Sequence, residues 1–290
     1  MLFRSGIAVG GAAVAFAELA DLAQRGFQRL LAVSPYAPLV TMPASFAALV
    51  LITNRVFPNS QGSGIPQAIA ARQLTDQAAR GGLVSARIAV GKVLLTLLGL
   101  LCGASVGREG PSVQVGASIM FLVGRLSPSR QPGLILAGAA AGVAAAFNTP
   151  LAGIVFGIEE MSRSFEVRAS GLIIGGVIAA GLTSLTLLGN YTYFGTTTAA
   201  LHSGIDWLAV PVCGVVGGAL GGVFSRILVE VGRGLPGAVG RWIKRYPVAF
   251  AAICGALTAL AGLASGSTTY GTGYERSEEH TSELQSRHNL

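Results

Sequence analysis

Three short runs of this sequence bring glycine and proline together with a hydroxyl, a carboxyl or an amide, each in the order of a loop feeding a helix. The first, Gly62-Ser63-Gly64-Ile65-Pro66, offers a hydroxyl donor, flexible glycines and a proline in the first helical turn. A helix begun in this way turns unpaired N–H groups and the positive end of its dipole back toward Ser63, a setting for a dehydrated anion. A loop turn that only caps the helix is equally compatible with these residues. The second run, Gly107-Arg108-Glu109-Gly110-Pro111, sets an arginine beside a glutamate at the junction of two apolar stretches. A carboxylate at a helix N-terminus sits where an anion would, so Glu109 is placed to occupy an anion site and to leave it on protonation. The alternative is an ion pair between Arg108 and Glu109 at a surface loop. The third run, Asn148-Thr149-Pro150, starts a helix whose segment closes on Glu159-Glu160. Paired carboxylates crowd each other, as a proton relay needs, but acids at the end of an apolar helix also simply mark a water interface.

The elements that must hold these runs are apolar helices. Half of the 290 residues are hydrophobic and 11% are charged, with a mean hydropathy of +0.62; a soluble domain cannot keep such a surface wet. The 41 glycines lie within the apolar stretches, which suits helices packed closely in lipid. Seven stretches are read as spans: Gly6 to Leu31, Ala37 to Val56, Leu83 to Val106, Leu134 to Met161, Gly171 to Leu188, Ile205 to Val231 and Val248 to Leu263. Pro66 to Leu74 and Pro111 to Leu126 are short helices to be buried in protein, the half-helices common in transporters. The expected fold is therefore all-α, a polytopic membrane bundle of tilted and broken helices.

Other function classes find little support. The formal charge of +7 comes from basic residues placed singly at the ends of apolar runs, without interleaved aromatics, which fits membrane-face loops and not nucleic acid. Arg72, Arg80 and Arg87 bracket a loop expected on the cytoplasmic side. Cys102, Cys213 and Cys254 read as small buried hydrophobes. An intramembrane enzyme would have only His202, His280 and His288 to draw on, and no metal-ligand spacing is present; no enzyme activity, metal or cofactor is expected. No cleaved leader is evident before Ala20, so the first helix is expected to stay. Residues 276–290 break from all this, and Arg276 to Ser286 looks like a translated sequencing-library adapter joined to a truncated reading frame.

Taken together, the three motifs resemble the CLC family of chloride channels and chloride/proton exchangers. The likeness also includes Ala144 to Gly153 and Gly271-Thr272-Gly273-Tyr274-Glu275, and covers residues 1–275. It implies an anion site built from Gly62, Ser63, Gly64, Ile65 and Pro66 with Gly107, Arg108, Glu109 and Gly110, in which Ser63 is the side-chain ligand of a central chloride. It also implies that Glu109 is the external gate and Glu160 the internal proton-transfer acid of exchangers, which channel members lack. Arg108 and Lys92 match basic positions near the pathway, although Lys92 is equally placed to pack against a carbonyl; Glu159 is expected to be structural. The fluoride-selective members' first signature departs from Gly-Ser-Gly-Ile-Pro.

The resemblance further implies two inverted halves, about 1–200 and, only begun, about 201–275. The second half of the family supplies a Gly-x-Phe-x-Pro loop and a late tyrosine, neither of which this sequence contains. On this basis the polypeptide alone is expected to be inactive and its full-length form to move chloride against protons across a bacterial inner membrane as a homodimer. A passive chloride channel and a non-transporting fragment that pairs with other subunits are the alternatives.

Overall fold

The computed structural model describes residues 2–162, 167–189, 204 and 206–273; the loop with His202, residues Tyr274 and Glu275, and the polar tail 276–290 lie outside them. Among the described residues there is no strand. Two compact units divide the chain, one running to Tyr193 and taking in Ala251–Gly273, the other covering Phe194–Phe250.

The first unit begins with α1 (Leu2–Val33) and α2 (Pro38–Arg55), followed by the short α3 (Ile65–Gln73) and α4 (Gln77–Gly81). Next come α5 (Ala86–Leu101), α6 (Glu109–Gly124), α7 (Gln131–Phe147), α8 (Pro150–Phe156) and α9 (Val167–Leu188). Helix α7 is the centre of this unit: every residue from Leu134 to Ala146 is buried. An Ala- and Gly-rich sequence makes that possible, because helices with nothing but methyls or hydrogens on their surface approach to backbone contact. A Cβ added at Gly138 would strike the carbonyl of Gly116 in α6, and one at Gly142 that of Ser112. Gly6 and Gly10 play the same part between α1 and α9, facing Ala179 and Ala180 at 2.6 and 2.7 Å from an added Cβ.

Three expectations are corrected here. Leu134 to Met161 is not one span: Asn148 adopts a left-handed conformation (φ 53°) and ends α7, and α8 restarts at Pro150. Proline cannot continue the ladder and restricts the residue before it, so the Asn-Thr-Pro run breaks the helix that hydropathy alone joins. Among the described residues five helical stretches are long and apolar enough to cross a membrane, Leu2–Val33, Gln77–Leu101, Gly171–Leu188, Ala209–Arg233 and Pro247–Ala264, where seven spans are expected from sequence. Helix α2, with Pro43 inside and Arg55 at its end, is not among them. Arg80 is also not a loop cation. It is 5% exposed, and its guanidinium donates to the carbonyls of Ala71 and Leu74 and to Gln131 Oε1, fastening α3 and α4 to α7.

The second unit contains α10 (Ala209–Arg233), α11 (Gly237–Arg245) and the start of α12 (Pro247–Ala264). No residue of α10 is buried. A left-handed Gly234 (φ 95°) turns the chain after α10, and α11 approaches that turn so closely that a Cβ on Gly240 would strike the Leu235 carbonyl.

Candidate anion-binding site

Two loops from distant parts of the first unit meet at a cavity of about 530 Å³. The loop before α3 contributes Gly62 and Ser63; the loop leading into α6 contributes Gly107, Glu109 and Gly110. Apolar side chains of α2 and α5, among them Phe46, Leu49 and Leu95, form the remaining wall. The first loop turns through left-handed conformations at Gly62 (φ 69°) and Gly64 (φ 94°), which only glycine adopts without strain. At Gly64 a side chain is excluded twice over, since an added Cβ would lie 2.6 Å from Gln114 Cβ of α6. Ser63 Oγ accepts a 3.4 Å bond from the Ile65 N–H. Its own hydroxyl hydrogen is the donor that can face a ligand.

The two loops touch directly: an added Cβ at Gly110 would sit 2.9 Å from the Ser63 carbonyl oxygen and 3.0 Å from Ser63 Cβ. Glu109 is the first residue of α6 and is half-buried, its carboxylate folded back over Gly107. Ser63 and Glu109 therefore line one cavity beside a helix N-terminus, where backbone N–H groups and the helix dipole favour negative charge.

Lys92 of α5 is 2% exposed and also lines the cavity. Its ammonium donates to the carbonyls of Gln61 (3.3 Å) and Gly62 (2.9 Å). Of the two roles open for it in the sequence, packing against a carbonyl is realised, and through that bond a cation stands at the base of the Ser63 loop. Arg108 does not line the cavity. Its guanidinium reaches α1, 3.0 Å from the Ala17 carbonyl and 3.1 Å from Asp21 Oδ1. Arg108 is thus anchored by a salt bridge to Asp21 of α1. An acid inside a long apolar helix invites a buried basic partner, and that signal in α1 was the one available for Asp21.

Gly64, Ile65 and Pro66 form the start of α3 behind the cavity without lining it. Gln114, fully buried in α6, is a contributor that the sequence did not single out: its amide donates to the carbonyls of Leu83 (2.9 Å) and Asn59 (3.3 Å) and backs Gly64. Glu159 and Glu160 stand apart. Both are exposed, on a π-helical turn Gly157–Ser162 that follows α8, and neither lines the cavity. That turn is held to α3 by Arg72, which donates to the Met161 carbonyl at 2.9 Å. No group of three or more metal-ligating side chains occurs among the described residues.

The family model described as voltage gated chloride channel matches residues 44–287, and the chain belongs to that family. With its apolar helices, it is a multi-pass membrane protein. It is 33% identical over 244 residues to the H(+)/Cl(-) exchange transporter ClcA of Yersinia pestis bv. Antiqua (strain Angola), an alignment covering 77% of this chain and 48% of that protein. To the chloride channel protein CLC-c of Arabidopsis thaliana it is 30% identical over 227 residues, 67% of this chain and 28% of that one. The chain thus spans about half the length of the Yersinia relative. The fold is shared with a slow cyanobacterial Cl-/H+ antiporter, at a TM-score of 0.71 and 24% identity over 90% of this chain and 63% of that one. It is also shared with a CLC-type fluoride/proton antiporter, at 0.69 and 22%, covering 90% and 62%.

Proposed function

We propose that this chain carries the anion site and gate of a chloride/proton exchanger, with chloride as substrate and no cofactor. The observation that carries this reading is the shared cavity, lined by Ser63, by Glu109 and by the N-terminus of α6. An anion entering it meets the Ser63 hydroxyl and the backbone donors of the Gly107–Gly110 loop, with the buried ammonium of Lys92 behind. The Glu109 carboxylate competes for the same positive potential, so anion entry requires it to withdraw. A proton taken up by Glu109 removes the competing charge, and coupling of the two ions follows. Arg108, tied to Asp21, fixes the backbone from which Glu109 projects. Glu160 is assigned to proton exchange with the opposite face of the membrane.

Names of the relatives favour an exchanger, and one observation favours a passive channel instead: Glu160 is exposed and lies off the cavity. In the complete protein we assign the cell membrane of a bacterium as the location and a homodimer as the assembly. The exposed apolar face of α9, with Ile174, Ile178, Leu182 and Leu185 at helical spacing, supports contact with lipid or with a second copy.

The test is chloride efflux with simultaneous pH recording from liposomes holding a full-length form of the protein, beside its Glu109→Gln and Glu160→Gln variants. Chloride-driven proton movement against its gradient, abolished by either change, is expected. Chloride flux without proton movement in the unaltered protein refutes the exchanger and leaves the channel.

A further inference from the structure

Helices α10 and α12 are each long and apolar enough to cross a membrane, so the short connection between them returns to the face at which α10 ends. Most of that connection is α11, Gly-Ala-Val-Gly-Arg-Trp-Ile-Lys-Arg. Successive residues of a helix turn by about 100°. Ala238, Val239, Trp242 and Ile243 therefore share one side of α11, Arg241 and Lys244 lie across from it, and Arg245 stands at its edge. Arg241, Trp242, Lys244 and Arg245 are all exposed. The rings of Trp242 and Tyr246 stand 6.2 Å apart, and the Arg245 guanidinium lies 5.5 Å from the Tyr246 ring centroid. From Arg233 to Phe250 the sequence contains no acidic residue.

A face in water has no use for exposed Val239 and Trp242 beside a half-buried Ile243, and a face covered by protein would have to neutralise three cations with acids this segment does not supply. A short helix with one apolar side, one basic side and aromatic rings at the border matches the boundary between acyl chains and headgroups. We propose that α11 lies in the plane of the membrane surface and binds the anionic headgroups of phospholipids through Arg241, Lys244 and Arg245, with Trp242 and Ile243 set among the upper acyl chains. The inference depends on α10 and α12 crossing the membrane and not on the transport reading, so either can fail without the other.

The test uses the whole chain with Trp207→Phe, which leaves Trp242 as the single tryptophan. The protein is reconstituted in equimolar phosphatidylglycerol and phosphatidylcholine, with bromine on the acyl chains of one lipid or the other as a fluorescence quencher. Since one basic residue near an anionic surface biases occupancy about fivefold at low salt, brominated phosphatidylglycerol should quench Trp242 at least that strongly in preference. The combined Arg241→Gln, Lys244→Gln and Arg245→Gln variant should be quenched equally by both lipids. Salt at about 1 M, where screening acts within about 3 Å, should narrow the preference in the unaltered protein, a readout that needs no substitution to fold. Equal quenching by the two lipids without any substitution overturns the proposal. So does quenching by neither, which would mean that water, another part of the protein or a second copy covers Trp242.

Discussion

Replacing Gly110 with alanine probes the junction where the two cavity loops touch. The new methyl carbon would lie 2.9 Å from the Ser63 carbonyl oxygen and 3.0 Å from Ser63 Cβ, whereas carbon neighbours settle at about 3.5–4.0 Å. Both contacts are with parts of Ser63 that cannot swing aside, so the loop itself must retreat by roughly half an ångström or more. Overpacking of this size costs about 1–3 kcal/mol. Lys92 holds the Gln61 and Gly62 carbonyls, so the displacement falls on Ser63. If the anion-bound form carries the whole cost, chloride affinity drops about 5- to 150-fold. Chloride titration calorimetry on the full-length protein measures this, with Gly11→Ala as the control, because a Cβ on Gly11 has open space around it. Chloride binding by the Gly110→Ala protein as tight as by the unaltered one would refute the assignment of Ser63 to the anion site.

Two further substitutions test the frame. Arg80→Met leaves the Ala71 and Leu74 carbonyls and the buried Gln131 amide without their donor, and a loss of about 3 kcal/mol or more is expected, read as a lower thermal midpoint in detergent; an unchanged midpoint would show that water replaces the guanidinium. Gly142→Val sets a branched side chain against the Ser112 carbonyl at the α6–α7 contact, and failure to give monodisperse folded protein on gel filtration is expected, while a well-behaved variant would show the two helices able to separate.

Helix starts were the most legible part of this fold, because proline at the first turn leaves little freedom: α3, α6 and α8 begin within a residue or two of Pro66, Pro111 and Pro150. The meeting of the Ser63 and Glu109 loops was legible only through the family resemblance, since no local pattern dictates which loops converge. What escaped was the partnering of polar groups within apolar sequence. Arg80 reads as a loop cation until its three acceptors are seen, and nothing next to Arg108 in the sequence points to Asp21, 87 positions away. Hydropathy likewise joined α7 to α8, because it averages over Asn148 while the backbone does not.

One consequence of the small residues along α6 concerns pace. This helix is wedged at Gly110 against Ser63, at Ser112 against Gly142 and at Gly116 against Gly138, so there is no level along its first half at which it has room to slide. A gate mounted on such a fixed rail has only the torsions of the Glu109 side chain to move, and side chains reorient in picoseconds to nanoseconds. On the proposed mechanism, then, the helix sets no tempo of its own: the interval between openings is the waiting time for a proton to reach one carboxylate.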